Sequence, residues 1–226
     1  MSIKFGKLVK ALDNILPLPL FVKKMHIRRK TRDELHKYWT FPNDNINIPS
    51  EYLKRRERSI FLLNLIKKYI ENSNSVLEIG CNVGRNLNEL FCAGFSNLSG
   101  LEISKNAIDL MEKAYPLMAQ RIKIYHGPVE NLILDFQDNC FDLVFTMAAL
   151  QHIHTDSEFI FAHIARITKK ILVTIEDEQG LSSRHFPRNY NKVFENLGMK
   201  QIEEIFLCKE NSSGLDSNFL ARVFKK

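Results

Sequence analysis

The sequence predicts an α/β fold built on an open, doubly wound sheet, and three observations predict it. First, residues 76–86, Val76-Leu77-Glu78-Ile79-Gly80-Cys81-Asn82-Val83-Gly84-Arg85-Asn86, pass from a short apolar run through a glycine turn. They lead into a stretch where Leu87, Leu90 and Phe91 share one helical face. Strand, tight turn and helix is how open α/β sheets hold nucleotides and nucleosides, and glycine lets a ligand approach the backbone there. Second, a carboxylate, Glu102, closes the next apolar run 22 residues after Gly80, a spacing that places an acid on ribose hydroxyls. Third, apolar strands alternate with amphipathic helices from residue 75 to about 178, and two alternating strands, 201–209 and 219–225, follow as an antiparallel pair.

The chain of 226 residues is long enough for one large domain with a small appendage. The boundary falls at the turn Asn72-Ser73-Asn74-Ser75, giving an N-terminal helical extension over 1–72 and a core domain over 73–226. Residues 1–72 carry 16 Lys and Arg against 7 Asp and Glu, whereas 73–226 carry 16 against 19, so the net charge of +6 belongs to the extension. A basic extension attracts nucleic acid, anionic lipid or anionic substrates, and a solvated helix face explains it equally well. Cys81, Cys92, Cys140 and Cys208 lack CxxC spacing, which argues against a zinc or disulfide framework. Cys92, Cys140 and Cys208 read as buried small hydrophobes. With no signal peptide the expected compartment is the cytoplasm. The apolar run 16–22 is too short and too rich in proline to span a bilayer.

In chain order, residues 2–16 read as an amphipathic basic helix, for a membrane surface, a partner or the core, ended by Pro17 and Pro19. A cationic stretch follows to residue 37, then the aromatic pair Tyr38-Trp39 and a polar loop. Residues 50–71 read as one helix capped by Ser50, with Arg55, Arg56 and Arg58 on its polar side. The helix opening at Arg85 ends at Cys92, with Ala93-Gly94-Phe95 as its C-cap. Strand 97–103, a helix capped by Ser104 and a short strand at 121–125 come next. Asp142 opens an apolar strand that ends near Met147. A helix capped by Thr155 or Asp156, a strand over 169–178 and a helix from Tyr190 to Gly198 complete the alternation.

The loop at 80–84 is neither GxxxxGK[ST] nor GxGxxG, because Asn82 stands where a second glycine would be. An acidic residue entering the loop, two glycines four apart and a downstream carboxylate remain. This resembles motif I of the class I S-adenosylmethionine-dependent methyltransferases, in the form hhExGxxxGxx, and the resemblance extends over roughly residues 75–178. It implies a seven-stranded, mostly parallel Rossmann-like sheet with an antiparallel C-terminal strand, and an N-terminal helical lid. It implies S-adenosylmethionine as cofactor and S-adenosylhomocysteine as product. Gly80 and Gly84 would shape the methionine pocket, Glu78 would support the loop and Glu102 would hold the ribose. Cys81, Asn82, Asn86, Ile103 and Met147 would complete the cofactor site. Relatives carry Asp where Pro128 stands here, so adenine recognition falls to backbone groups near Val129, to Glu130, or to another side chain; Glu130 alternatively is simply exposed.

The same resemblance makes Tyr38 and Trp39 lid candidates, or else aromatic packing on the first core helix. His152 is either a general base or a packing residue that orients its turn, and His154 is expected to be exposed. Glu176 and Asp177, and less so Glu178, arrive at a strand's carboxyl end as candidate substrate-facing acids. Arg184, His185, Arg188 and Tyr190 would hold an anionic or sugar-like substrate, or form a connector facing those acids. The reaction expected is methyl transfer to an oxygen or nitrogen of a small molecule, a surface-polysaccharide sugar or a natural product. No Asn/Asp-Pro-Pro-Tyr/Phe follows the fourth strand, where enzymes that methylate amines of bases or amides carry it. The alternatives are an RNA methyltransferase using the basic extension, a non-catalytic nucleotide-binding module, and a nicotinamide-dependent oxidoreductase that Asn82 disfavours. The expected partner is the small acceptor and no DNA, with RNA the less favoured alternative; the chain is expected to be a monomer or homodimer, and peripheral membrane contact through the basic N-terminal helix stays open.

Overall fold

Among the described residues of the computed structural model, the first helix, α1 (Arg32–Thr40), begins where a reciprocal cap forms. The Thr31 hydroxyl accepts the Glu34 N–H at 3.3 Å, and the Glu34 carboxylate accepts the Thr31 N–H at 2.9 Å. The structure describes residues 27–42, 44, 46–207, 214–215 and 218–226. The basic helix expected at 2–16, Cys208 and most of the turn expected at 211–214 lie outside these residues. The single helix expected over 50–71 is two helices, α2 (Pro49–Tyr52) and α3 (Arg56–Ile66). Pro49 starts the first of them, ahead of Ser50. The break falls at Arg55, in the left-handed region at φ 67°, because Arg85 captures the carbonyls of Tyr52 and Lys54 at 3.1 and 2.9 Å.

The core domain alternates as expected. β1 (Ser75–Ile79), α4 (Arg85–Cys92), β2 (Asn97–Glu102), α5 (Lys105–Ala114), α6 (Pro116–Ala119), β3 (Lys123–His126) and α7 (Val129–Leu132) form its first half. β4 (Phe141–Met147), α8 (Phe159–Ile167), β5 (Thr168–Asp177), α9 (Tyr190–Glu195), β6 (Lys200–Phe206) and β7 (Phe219–Lys225) form the second. Residues Thr155–Ser157 make a separate 3₁₀ turn, and α8 starts only at Phe159. His154, not Thr155 or Asp156, caps that turn, its Nδ1 accepting the Asp156 N–H at 3.1 Å. Cys81 is buried, but Cys92 is exposed and Cys140 is only half-buried.

The seven strands lie in the order β3-β2-β1-β4-β5-β7-β6. Strands β1 to β5 pair in parallel, and β7 runs antiparallel to both of its neighbours. Strand alternation feeds a core on each face: Val76, Leu143 and Phe145 point to one, Leu77, Ile79 and Val144 to the other. α3, α4 and α5 cover the first core, and α8 and α9 cover the second. The strand order reverses between β1 and β4, so the crevice of the fold lies at their carboxyl ends. Among the described residues no helix is long and apolar enough to cross a membrane.

Candidate active site

At the end of β1 the chain turns through Gly80 at φ 75° and Asn82 at φ 48°. A Cβ on Gly80 would sit 2.9 Å from the Cβ of Ala149, so the loop closes only with glycine there. The Glu102 carboxylate, buried at the end of β2, accepts the Asn82 N–H at 2.8 Å and the Ser104 N–H at 2.7 Å. Burial raises its pKa, and these N–H groups oppose the rise. Each oxygen keeps a lone pair, so the group can still accept from a diol while it fixes the loop. Behind the loop a chain of bonds runs from Arg85 Nε to Ser59 Oγ at 2.8 Å, from Ser59 Oγ to Asn86 Oδ1 at 2.6 Å, and from Asn86 Nδ2 to Glu78 Oε1 at 2.7 Å. Burial pushes Glu78 up to about 8, so its carboxyl is largely protonated at neutral pH.

One cavity opens on this loop and on the ends of β2 and β4, with α1 across it. Glu78, Gly80, Cys81, Asn82, Asn86, Glu102, Ile103, Val129, Glu130 and Met147, all expected at the cofactor, line it. Gly84 does not; its φ of 69° and bare Cα let the start of α4 pack on Met111, whose Sδ would lie 2.5 Å from a Cβ. Glu130 is buried rather than exposed, and its carboxylate meets His36 Nε2 at 3.0 Å.

The lid is tied down along its length. Trp39 packs on His152 with ring centroids 4.6 Å apart, and His152 packs on His185 at 4.8 Å. Tyr38 stands edge-on to Trp39 at 5.0 Å, and the Arg184 guanidinium lies 4.2 Å over the Tyr38 ring. The Tyr38 hydroxyl donates to Asp44, which also pairs with Arg184 at 3.5 Å. Burial and Asp44 push Tyr38 up to about 12. Ser104 Oγ donates to the Thr40 carbonyl at 3.1 Å, and the Lys30 N–H to the Ser183 carbonyl at 2.8 Å.

His152 lines the cavity, but its ring nitrogens face the protein. Nδ1 lies 2.9 Å from the Arg184 carbonyl and must donate to it, which leaves Nε2 as the acceptor for the Gln151 amide at 3.4 Å. The ring is partly reachable from the cavity yet enclosed by its aromatic neighbours. Burial, with Arg184 and His185 nearby, holds its pKa down to about 3. The packing role is therefore the one the geometry supports. His154, expected to be exposed, is half-buried against Phe186, with ring centroids 5.0 Å apart.

The acids at and just beyond the end of β5 do not face the cavity, which corrects the expectation for Glu176, Asp177 and Glu178. Glu176 is fully buried and accepts N–H groups from the turn after β4. Asp177 Oδ1 accepts the N–H groups of Gln179 and Gly180 at 2.9 and 2.6 Å. Glu178 is held by Arg222 at 2.7 and 3.0 Å. The predicted substrate cluster is likewise corrected: Arg184, His185, Arg188 and Tyr190 are absent from the cavity wall. Arg184 braces the lid, and His185 meets Ser182 Oγ at 2.7 Å. Arg188 pairs with Glu158 at 3.0 Å and lies over Phe161. Tyr190 opens α9 with its ring in the core against Phe161 and Phe194.

His36, Tyr52, Arg85 and Ala149 line the cavity without having been singled out as site residues. Two signals mark the first: Thr31-x-x-Glu34 is a capping box, and His36 and Trp39 lie three apart, on one face of the helix it starts.

The cavity is suited to a nucleoside carrying polar groups at its other end. Of the buried side-chain atoms without a hydrogen-bond partner among the described residues, three, Trp39 Nε1, Asn82 Oδ1 and Glu78 Oε2, belong to residues that border the cavity. A donor, an acceptor and a carboxyl thus wait on a polar ligand. The strand order and the crevice at the β1 and β4 ends define the chain as a Rossmann-like α/β protein. Residues 77–171 match the family described as methyltransferase domain. Over 119 residues it is 27% identical to phosphoethanolamine N-methyltransferase 2 of Caenorhabditis elegans, covering 50% of this chain and 26% of that protein. The match thus takes in about a quarter of that relative's length. A methyltransferase structure from Archaeoglobus fulgidus, described as S-adenosylmethionine-dependent, superposes with a TM-score of 0.62 at 15% identity over 81% of this chain and all of that one. The [4+2]-cyclase SpnF superposes with a TM-score of 0.59 at 13% identity over 73% of this chain and 79% of that one. These structural likenesses concern the fold.

Proposed function

We propose that the chain transfers a methyl group from S-adenosylmethionine to a nitrogen or oxygen nucleophile of a small molecule. The observation that carries this reading is the Glu102–Asn82 loop facing unpartnered Trp39, Asn82 and Glu78 atoms beneath a closed lid. When bound, the cofactor supplies an electrophilic methyl group on a positively charged sulfur. Glu102 would accept the ribose hydroxyls, and Val129, Glu130 and His36 would border the adenine. Trp39 would exclude water and confine the acceptor, with Tyr38, which is not on the cavity wall, bracing it from behind, so that most of the rate comes from alignment.

Neither His152 nor the acids at the end of β5 are disposed as a base. His152 uses both ring nitrogens within the protein, and Glu176 and Asp177 lie behind the wall. That arrangement suits an amine, whose lone pair is free once its proton is lost to solvent, better than a sugar hydroxyl. The N-methylating relative from Caenorhabditis elegans is in keeping with this preference.

Calorimetric titration with S-adenosylmethionine, S-adenosylhomocysteine and NAD tests the cofactor. The first two should bind and NAD should not; no binding of either sulfur compound would sink the reading. Glu102→Ala should weaken S-adenosylhomocysteine binding at least tenfold, about 1.4 kcal/mol. Labelled methyl transfer to a panel of ethanolamine-type amines and sugars then decides the acceptor class.

A further inference from the structure

Glu176 is fully buried at the end of β5, and among the described residues it takes part in no ion pair. Leaving a carboxylate in that position is costly, and it persists only where its hydrogen bonds are good. Both oxygens are spent on the turn that follows β4: Oε1 accepts the Ala149 N–H at 3.2 Å and Oε2 accepts the Gln151 N–H at 3.1 Å. A carboxylate offers each N–H its own acceptor oxygen, which an amide, with one oxygen and one NH₂, does not.

The turn needs such a hold. Ala148 sits at φ 56°, a left-handed conformation that costs a side-chain-bearing residue energy. Its N–H donates to the Ile175 carbonyl at 2.9 Å. Gln151 is fastened to the same strand end, its Oε1 accepting the Asp177 N–H at 2.6 Å. Its carbonyl accepts the Phe186 N–H at 2.7 Å. The side of the turn away from Glu176 is the cavity wall. There Ala149 closes on Gly80, and His152 meets Trp39 of the lid.

We propose that Glu176 is a positioning residue for the transfer reaction: from inside the sheet its carboxylate fixes the turn at residues 148–152, and through that turn it sets both the glycine loop and the seat of Trp39. The reaction named here rests on the methyltransferase reading; the structural part does not. Glu176 touches neither the cavity nor anything within it and acts only through the turn.

Trp39 is the chain's single tryptophan, so its emission reports the contact with His152 directly. Glu176→Gln is nearly isosteric but turns an NH₂ against one of the two N–H donors. We expect it to shift the Trp39 emission and raise its quenching by acrylamide. It should weaken S-adenosylhomocysteine binding at least fivefold and lower kcat at least tenfold, while the melting temperature moves by only a few degrees. A purely structural role would move the melting temperature and leave the emission and affinity of the folded protein alone. Wild-type emission and affinity in the folded variant would overturn the proposal. Should Glu176→Gln not fold, Glu176→Asp, which keeps the charge but withdraws it from the turn, is read by the same measurements with the same outcomes. If the wild-type protein binds no S-adenosylhomocysteine, the methyltransferase reading fails, and the Trp39 emission still decides whether Glu176 sets the wall.

Discussion

Glu78 sits beneath the glycine loop, bonded to Asn86 and raised by burial from its ordinary 4.5 to about 8. The folded protein therefore keeps a proton that the unfolded chain gives up at much lower pH. The stability this group contributes is fully present below 4.5 and is lost as pH rises through about 8. Glu176, pushed up to about 7 by burial against the pull of the Thr146 hydroxyl and of its N–H donors, works in the same direction. Glu78→Gln, which mimics the protonated acid and keeps the Asn86 bond, should flatten the fall of melting temperature between about pH 5 and about pH 9. A melting curve with the same pH slope as wild type would refute this assignment. The sequence shows Glu78 as an acid entering a glycine loop, but not that it is neutral, since protonation depends on what surrounds it. The same gap explains Glu176 and Asp177. A strand's carboxyl end is where ligands bind, yet whether a side chain there points out or under is decided by the next loop's backbone, which composition does not reveal.

At the scale of elements, the parallel strands and the helices between them were legible because two periodicities alternate along the chain and both faces of the sheet are apolar. The lid was legible only as an aromatic pair. α1 is polar over most of its surface, with Leu35 as its buried apolar residue, so no hydrophobic stripe announces it. Its start depends on the Thr31–Glu34 cap, and Thr31→Ala should cost about 1 kcal/mol locally. That loss should appear as faster amide exchange in residues 32–40 with little change in the exchange of β1 and β4; uniform change across both would place the effect elsewhere. The split of α2 from α3 was not legible for a related reason. Arg85, some thirty residues downstream, takes the carbonyls that would have continued the helix, and a local reading of residues 50–71 contains no trace of it. The segment 182–190 misled similarly: its arginines and aromatics fit a binding loop as well as a brace, and they pack on Tyr38, Glu158 and the second core.

Across the whole molecule, Arg222 joins the far side of the sheet. From β7 it reaches Glu178 beyond the end of β5 with two bonds, at 2.7 and 3.0 Å, and Gln201 on β6 at 2.8 Å; it also donates to Glu204. Arg222 and Glu178 are both nearly inaccessible, so Arg222→Ala strands a buried carboxylate. It should lower unfolding stability by roughly 3–5 kcal/mol in urea titration, whereas a surface pair would cost under about 1 kcal/mol. A loss below that level would show the charges to be solvated. β7 itself has a temporal consequence. It lies between β5 and β6, although it is made after both. While a nascent chain has emerged only to residue 218, β5 offers the ribosome's surroundings a row of unpaired amides, and β6 has no neighbour to lie against. The cofactor half of the sheet can assemble early, but the other half must wait for its middle strand, an interval in which the growing polypeptide is open to strand exchange and to capture by chaperones.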